Sequence, residues 1–187
     1  MPRRKASGPT ETPEIFHRAF IGIGSNLGDR VENYREACRR IAELPHTRIV
    51  KESSLYESEP LGDAKTWFVN GVIEIETALS PQQLLSKLKA IEKAMGRKKV
   101  RGKRWGSRII DLDILFYDRE VVEQRNLKIP HKELQNRRFV LLPLSELAPM
   151  LVHPTLNMTV TELLAALKDS KKVHLLRIEP PPRRGWA

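Results

Sequence analysis

Asp111 and Asp113 stand one residue apart in S-R-I-I-D-L-D-I-L-F-Y, an otherwise apolar run from Ser107 to Tyr117. Just before it, R-K-K-V-R-G-K-R spans Arg97 to Arg104, and Trp105-Gly106 joins the two. A buried-looking strand rarely carries two acids unless something cationic meets them. A cationic segment this dense repels itself unless a polyanion is present. Metal plus polyphosphate is the simplest pairing that satisfies both. Strand alternation puts Asp111 and Asp113 on one face with Ile109 and Leu115, about 7 Å apart along the chain. That is too far for one shared proton, but suited to bracketing one or two Mg²⁺ ions that also bind phosphate oxygens. A solvated or salt-bridged strand face, fed by the nearby arginines, explains the pair equally well. Ile110, Leu112, Ile114 and Phe116 point the other way and are expected in the core.

Three further groups accompany this pair. Arg97 and Arg108 flank the basic segment, and arginine is the better bidentate phosphate ligand. Gly102 and Gly106 would let such a loop open and close over a ligand, although charge runs are usually just solvated. In W-F-V-N-G-V-I-E-I-E, Val69, Ile73 and Ile75 share one face of a strand, with Phe68, Asn70 and Val72 on the other. An asparagine beside an aromatic can read the edge of a flat heterocycle, though Phe68 alone suits a core and Asn70 a turn. The run I-P-H-K-E-L-Q-N-R-R-F brings His131, Asn136, Arg137 and Phe139 into play. Beside a phosphate site, His131 can donate a hydrogen bond to a phosphate oxygen. Neither G-x-x-x-x-G-K-[ST] nor G-x-G-x-x-G occurs, since Gly22-Ile23-Gly24-Ser25-Asn26 lacks the third glycine, so P-loop and dinucleotide folds are not expected. No Cys/His cluster suggests zinc.

The elements that must position these groups follow from periodicity. Ala19 to Gly24 reads as a strand ending in the turn-rich G-S-N-L-G-D. Val31, Tyr34, Cys38, Ile41 and Leu44 then form one helical stripe, which makes Cys38 a packed thiol. Arg48 to Tyr56 reads as a strand, Glu57 to Lys65 as a loop, and Phe68 to Thr77 as a second strand. Ser80 to Met95 is a helix: Ser80 caps it, Pro81 suits its first position, Gln83 completes a capping box and Gly96 stops it. The aspartate strand, Arg108 to Tyr117, comes next. Val121 to Ile129 reads as an edge hairpin, Arg138 to Leu147 as a helix, and Thr159 to Leu167 as another with a Thr159/Glu162 capping box. This order fits a ferredoxin-like α+β domain, with two helices on one face of a mostly antiparallel sheet.

The 187 residues suffice for one domain, with 30% charged and 40% hydrophobic residues as in a soluble globular protein. Residues 1–18 read as a disordered basic tail, 19–167 as the folded domain, and 168–187 as a basic, Pro-rich tail. No apolar stretch reaches a membrane span, no signal peptide is evident, and a single cysteine fits the cytoplasm. The net charge of +10 is concentrated: residues 97–108 carry +7, the two tails +2 and +4, and the remainder −3. A charge focused on one spot favours a phosphate-rich small molecule over a nucleic acid.

Together these residues resemble the 6-hydroxymethyl-7,8-dihydropterin pyrophosphokinases of folate biosynthesis. The matching pieces are F-I-G-I-G-S-N-L-G-D-R at 20–30, S-S-L-Y-E-S-E-P-L-G at 53–62, F-V-N at 68–70 and E-K-A-M-G-R at 92–97. R-W-G-S-R-I-I-D-L-D-I-L at 104–115 and I-P-H-K-E-L-Q-N-R-R-F-V-L-x-P-L at 129–144 complete the set, in the family's order. The resemblance implies transfer of pyrophosphate from ATP to the pterin's hydroxymethyl group, with release of AMP. It implies that Asp111 and Asp113 hold two Mg²⁺ ions and that Arg97 and Arg108 steady the triphosphate. Phe139 would stack on the pterin, Asn70 would read its edge, and Phe68 would line its pocket with the backbone around Ser58, Pro60 and Leu61. Trp105 would close over both ligands, while Glu92, His131 and Arg137 would contact ATP. The partners implied are ATP and a reduced pterin, with no nucleic acid and no membrane. This chain has Ser58 where the family usually has Thr, Phe68 for Tyr, Ser107 for Pro and Lys89 for Gln. The loop from Arg97 to Trp105 is slightly longer than usual. A basic RNA-binding α+β module is a weaker alternative, because no run of exposed aromatics is evident for base stacking. Another Mg²⁺-dependent phosphotransferase would use the same aspartates.

Overall fold

The computed structural model describes residues 14–60, 62, 64–96 and 108–178. One six-stranded sheet organises them, with strands β1 (His17–Ser25), β2 (Thr47–Glu52), β3 (Tyr56–Ser58), β4 (Phe68–Thr77), β5 (Asp111–Tyr117) and β8 (Val173–Leu175). Its order is β5-β1-β4-β3-β8, and β2 also pairs with β4. Every pairing is antiparallel. A separate ribbon joins β6 (Val122–Glu123) to β7 (Lys128–Ile129). The α+β class and the ferredoxin-like order are as expected.

Helices pack on both faces of the sheet. On the first face, α1 (Arg30–Ala42) and α2 (Pro81–Ala94) bury Tyr34, Ile41, Leu84 and Leu88 against Ile21, Ile73 and Ile75 of the sheet. On the second, α3 (Arg138–Leu147) and α4 (Val160–Ala166) pack Leu141, Leu144, Val160 and Leu163 on Phe20, Val72 and Phe116. The short apolar stripes of α3 and α4 need a sheet face of their own, and even-numbered β4 residues supply it.

Local chemistry starts the helices where the sequence predicts. Asp29 caps α1 by accepting from the Glu32 N–H at 3.0 Å. Ser80 with Gln83, and Thr159 with Glu162, form capping boxes on α2 and α4. The strand expected over Arg48–Tyr56 is two strands. Ser53 leaves the β2 line, with its N–H donating to Val72 O and its Oγ accepting from Val72 N–H, both at 2.9 Å. The chain then rejoins the outer end of β4 as β3.

Phe116 corrects the simple alternation expected of the aspartate strand. In the β1–β5 ladder Phe20 faces Phe116 and Ile21 faces Ile114, so Leu115 is an inserted residue. Such a bulge places consecutive residues on one face. Leu115 and Phe116 therefore both join the α3 face, while Ile110, Leu112 and Ile114 stay in the other core as expected. The tail boundaries also move. His17 and Arg18 are already in β1, paired with Thr77 and Glu76, and β8 comes from the segment assigned to the C-terminal tail. The unpaired edge of β3 recruits that segment.

Candidate active site

The ladder brings together residues far apart in sequence. Across β5, β1 and β4, one row reads Asp111, Gly24, Asn70 and the next reads Asp113, Gly22, Val72. Directly paired residues share a face, so the two carboxylates and Asn70 line one side of the sheet with two glycines between them. A Cβ on Gly24 would lie 3.2 Å from Asn70 Oδ1, and one on Gly22 would lie 3.2 Å from a Leu115 methyl. The glycines are therefore the floor of a trough. Its walls are Phe68 and Ser58 on one side and Phe139 and Val140 of α3 on the other, with Arg108 and Arg137 at the aspartate end.

Each wall residue is held in place. Asn70 is 5% exposed and donates through Nδ2 to Ser58 Oγ at 2.8 Å, which turns its carbonyl oxygen over Gly24. Asn26, 2% exposed, ties both backbone polar groups of Arg108: its N–H donates to Arg108 O at 3.0 Å, and its Oδ1 accepts from Arg108 N–H at 2.5 Å. Asn26 also bonds Thr66, through Nδ2 at 3.4 Å and by accepting from Thr66 Oγ1 at 2.6 Å. It thus pins the start of the aspartate strand to the approach of β4. Sequence reasoning missed Asn26 and the two floor glycines. The signal was the F-I-G-I-G-S-N-L-G-D-R segment, which carries part of the family resemblance but assigns these three residues no role.

The electrostatics centre on the carboxylates. Arg108 Nη1 pairs with Asp111 Oδ2 at 2.7 Å. Burial, and then the neighbouring Asp111 charge, push the Asp113 carboxyl up to about 7. Two carboxylates so placed repel one another, and a divalent cation between them relieves both the repulsion and the desolvation. Among the described residues no group of three or more His, Cys, Asp or Glu could hold a metal ion. A cation held by this pair alone would keep positions open for phosphate oxygens and water, the ligands Mg²⁺ takes on nucleotides. The residues present fit such an ion.

A second cleft opens beyond Asp113, lined by Lys89, Ile114, Asn126, Lys128 and His131. The His131 N–H donates to Leu115 O at 3.0 Å, the carbonyl of the bulge residue. His131 Nδ1 accepts from Glu133 N–H at 3.2 Å, so the neutral ring carries its proton on Nε2, 3.8 Å from Asp113 Oδ2. Burial and the Arg137 charge hold its pKa down to about 4, so the ring is neutral at physiological pH. Glu92 adjoins the cleft through two of its lining residues, Leu112 and Lys89. It is 2% exposed and accepts from Leu112 N–H at 2.8 Å, with Lys89 Nζ 3.1 Å from its carboxylate. It fixes the β5 edge between the two aspartates.

Comparison with known proteins bears directly on this arrangement. The 7,8-dihydro-6-hydroxymethylpterin-pyrophosphokinase family matches residues 20–149, most of the chain and all of the trough. The chain belongs to this family. A Haemophilus influenzae 2-amino-4-hydroxy-6-hydroxymethyldihydropteridine pyrophosphokinase is 44% identical over 158 residues, covering 84% of this chain and 97% of that protein. A Pseudomonas aeruginosa protein of the same name is 44% identical over 153 residues, covering 81% of this chain and 93% of its own length. Among solved structures, a Plasmodium falciparum HPPK-DHPS superposes with a TM-score of 0.66 at 17% identity, a likeness of fold alone. It covers 83% of this chain, which spans only 45% of that longer one.

Of the residues that the pyrophosphokinase resemblance singled out, Ser58, Phe68, Asn70, Arg108, Asp111, Asp113, Arg137 and Phe139 all line the trough. His131 lies in the adjoining cleft, and Asp113 borders both spaces. Pro60 is half-buried but lines neither. Arg97, Leu61 and Trp105 lie outside the described residues.

Proposed function

We infer that the protein transfers the pyrophosphoryl group of ATP to the hydroxymethyl group of 6-hydroxymethyl-7,8-dihydropterin, releasing AMP for folate biosynthesis. The observation that carries this reading is the position of Asp113. It stands where an aromatic-walled trough meets a cationic cleft, so two different ligands can meet at one carboxylate pair. The trough suits a flat heterocycle: Phe139 and Phe68 offer ring faces, and Asn70 presents a carbonyl to an N–H on the ring edge. The cleft suits a nucleotide, with Lys89, Lys128 and neutral His131 as donors.

Asp111 and Asp113 are the residues that hold Mg²⁺, two ions in this reading. When bound, the ions neutralise phosphate charge and orient the triphosphate. Arg108 and Arg137 sit at the junction, where they steady the transferring group, and Arg97 and Trp105 are assigned to the same end by resemblance. In the reaction the pterin alcohol oxygen bonds to the β-phosphorus of ATP, the bond to the α,β-bridging oxygen breaks, and AMP departs with that oxygen. The alcohol proton is lost. The chain's contribution is positioning and charge, which dominate phosphoryl transfer. His131 supplies a neutral N–H donor from Nε2 whose protonation does not vary near neutral pH. We place the enzyme in the cytoplasm, in keeping with its single, buried cysteine.

The test is AMP release from ATP by pure protein, with Mg²⁺ and the reduced pterin each omitted in turn. AMP should appear only when both are present. ATP turnover that ignores the pterin would move the protein to another phosphotransferase class.

A further inference from the structure

The C-terminal segment beyond α4 lies outside the family match at 20–149, yet it touches three elements that carry the trough wall. Its strand β8 pairs with β3, setting Val173 opposite the trough residue Ser58 and His174 opposite Glu57. The pairing runs past the strand ends. Glu59 N–H donates to Lys172 O at 3.1 Å, Lys172 N–H donates to Glu59 Oε2 at 3.0 Å, and Leu176 N–H donates to Leu55 O at 2.8 Å. The His174 ring also stacks on Trp67, the residue just before Phe68, with centroids 5.7 Å apart and planes 14° from parallel. Arg30 donates to the Trp67 carbonyl at 2.9 Å and to Glu57 at 2.7 Å.

The third contact is at α3, which carries Phe139. The residue at its cap position, Arg137, makes no side-chain capping bond. Asp169 Oδ2 accepts from the N–H of Arg138, the first helical residue, at 3.4 Å. A carboxylate there takes one of the helix's orphan donors and meets the positive end of its dipole.

Strand β3 has only three residues, and a strand so short is held weakly by one neighbour. We propose that Asp169–Leu176 is a clasp that positions the pterin-side wall, with His174 and Trp67 as positioning residues for Ser58 and Phe68. This rests on the pyrophosphokinase reading of the same trough. The contacts described above fall on β3, the approach to β4 and the start of α3, the elements that carry Ser58, Phe68 and Phe139. Loss of the clasp therefore acts on pterin affinity and spares the nucleotide.

The experiment measures dissociation constants for the reduced pterin and for Mg²⁺ with a non-hydrolysable ATP analogue. It uses full-length wild type, His174→Ala, His174→Phe and Asp169→Ala. His174→Ala should raise the pterin constant about 3- to 10-fold, the range expected for one aromatic pair, and leave the nucleotide constant unchanged. His174→Phe keeps a ring on Trp67 and should restore wild-type affinity. Asp169→Ala should shift the pterin constant in the same direction. A pterin constant unchanged in His174→Ala overturns the clasp. So does equal weakening of both ligands, or failure of the phenylalanine to rescue. Wild-type protein that releases no AMP from ATP and pterin fails in a different way, and overturns the underlying reading together with the clasp.

Discussion

Asp113 is held where its charge is unwelcome without a partner. Its carboxyl is raised from an ordinary 3.8 to about 7, by burial first and by Asp111 second. A carboxyl whose folded pKa lies above its unfolded value binds more protons when folded, so between these values folding stability falls as pH rises. Above about 7 the ionised group stands as a net cost to the metal-free fold. Asp113→Asn removes that charge at nearly constant shape. In chelator at pH 8 the variant should melt at a higher temperature than wild type, with the gain shrinking toward pH 4. With Mg²⁺ restored its turnover should fall more than about 100-fold, beyond the range seen when even an outer-shell partner is removed. Scanning calorimetry alongside the AMP assay checks both halves. Lower stability together with retained kcat would refute the metal role.

At the scale of elements, β4 sits at the centre of the sheet and shows how tightly the two layers constrain each other. Its odd residues face α1, and at Gly71 a Cβ would come within 2.6 Å of the Tyr34 ring and 2.9 Å of a Leu55 methyl. Tyr34 is 3% exposed and Leu55 7%, so neither can swing away. Gly71→Ala should therefore destabilise the protein by about 1–3 kcal/mol through overpacking, read as a lower urea midpoint at unchanged m-value. Such strand and helix positions were legible because local signals agreed: the limits of β4 and α3 match the sequence reading, and both capping boxes formed. Three features were not legible, each because it depends on a distant partner. The Leu115 bulge is set by register with β1, and it also frees the carbonyl that holds His131. The break between β2 and β3 depends on Ser53 meeting Val72. Strand β8 exists because β3 leaves an open edge. The site residues were named largely through motif resemblance, whereas Gly22 and Gly24 act through close backbone approach, and the Asn26 side chain acts by tying Arg108 to Thr66, partners distant in sequence.

For the molecule as a whole, the single thiol offers a probe of how ligand binding couples to the fold. Cys38 lies on the buried stripe of α1, opposite the face that carries the trough. Burial, reinforced by the Glu52 charge, pushes its pKa from 9.0 up to about 12. At pH 8 the folded thiol is then ionised to only about one part in 10⁴, whereas the unfolded one is ionised to about a tenth. With Cys38 only 7% exposed, reagent reaches the sulfur in molecules that have opened the α1 core. If that opening dissolves the sheet on which both ligands sit, a ligand at 100 times its dissociation constant suppresses the open state by about 100-fold. Alkylation at pH 8 should accordingly slow by about two orders of magnitude with saturating Mg²⁺ and ATP analogue, and further when the pterin is added. Mass spectrometry of iodoacetamide-treated protein over time reads the rate directly. A rate indifferent to both ligands would mean that α1 opens alone, leaving β1 and its two floor glycines in place. Because β1 pairs with β4 and β5 on either side, and α1 packs on β1 and β4 within one continuous core that also takes in β5, the coupled outcome is the one this architecture requires.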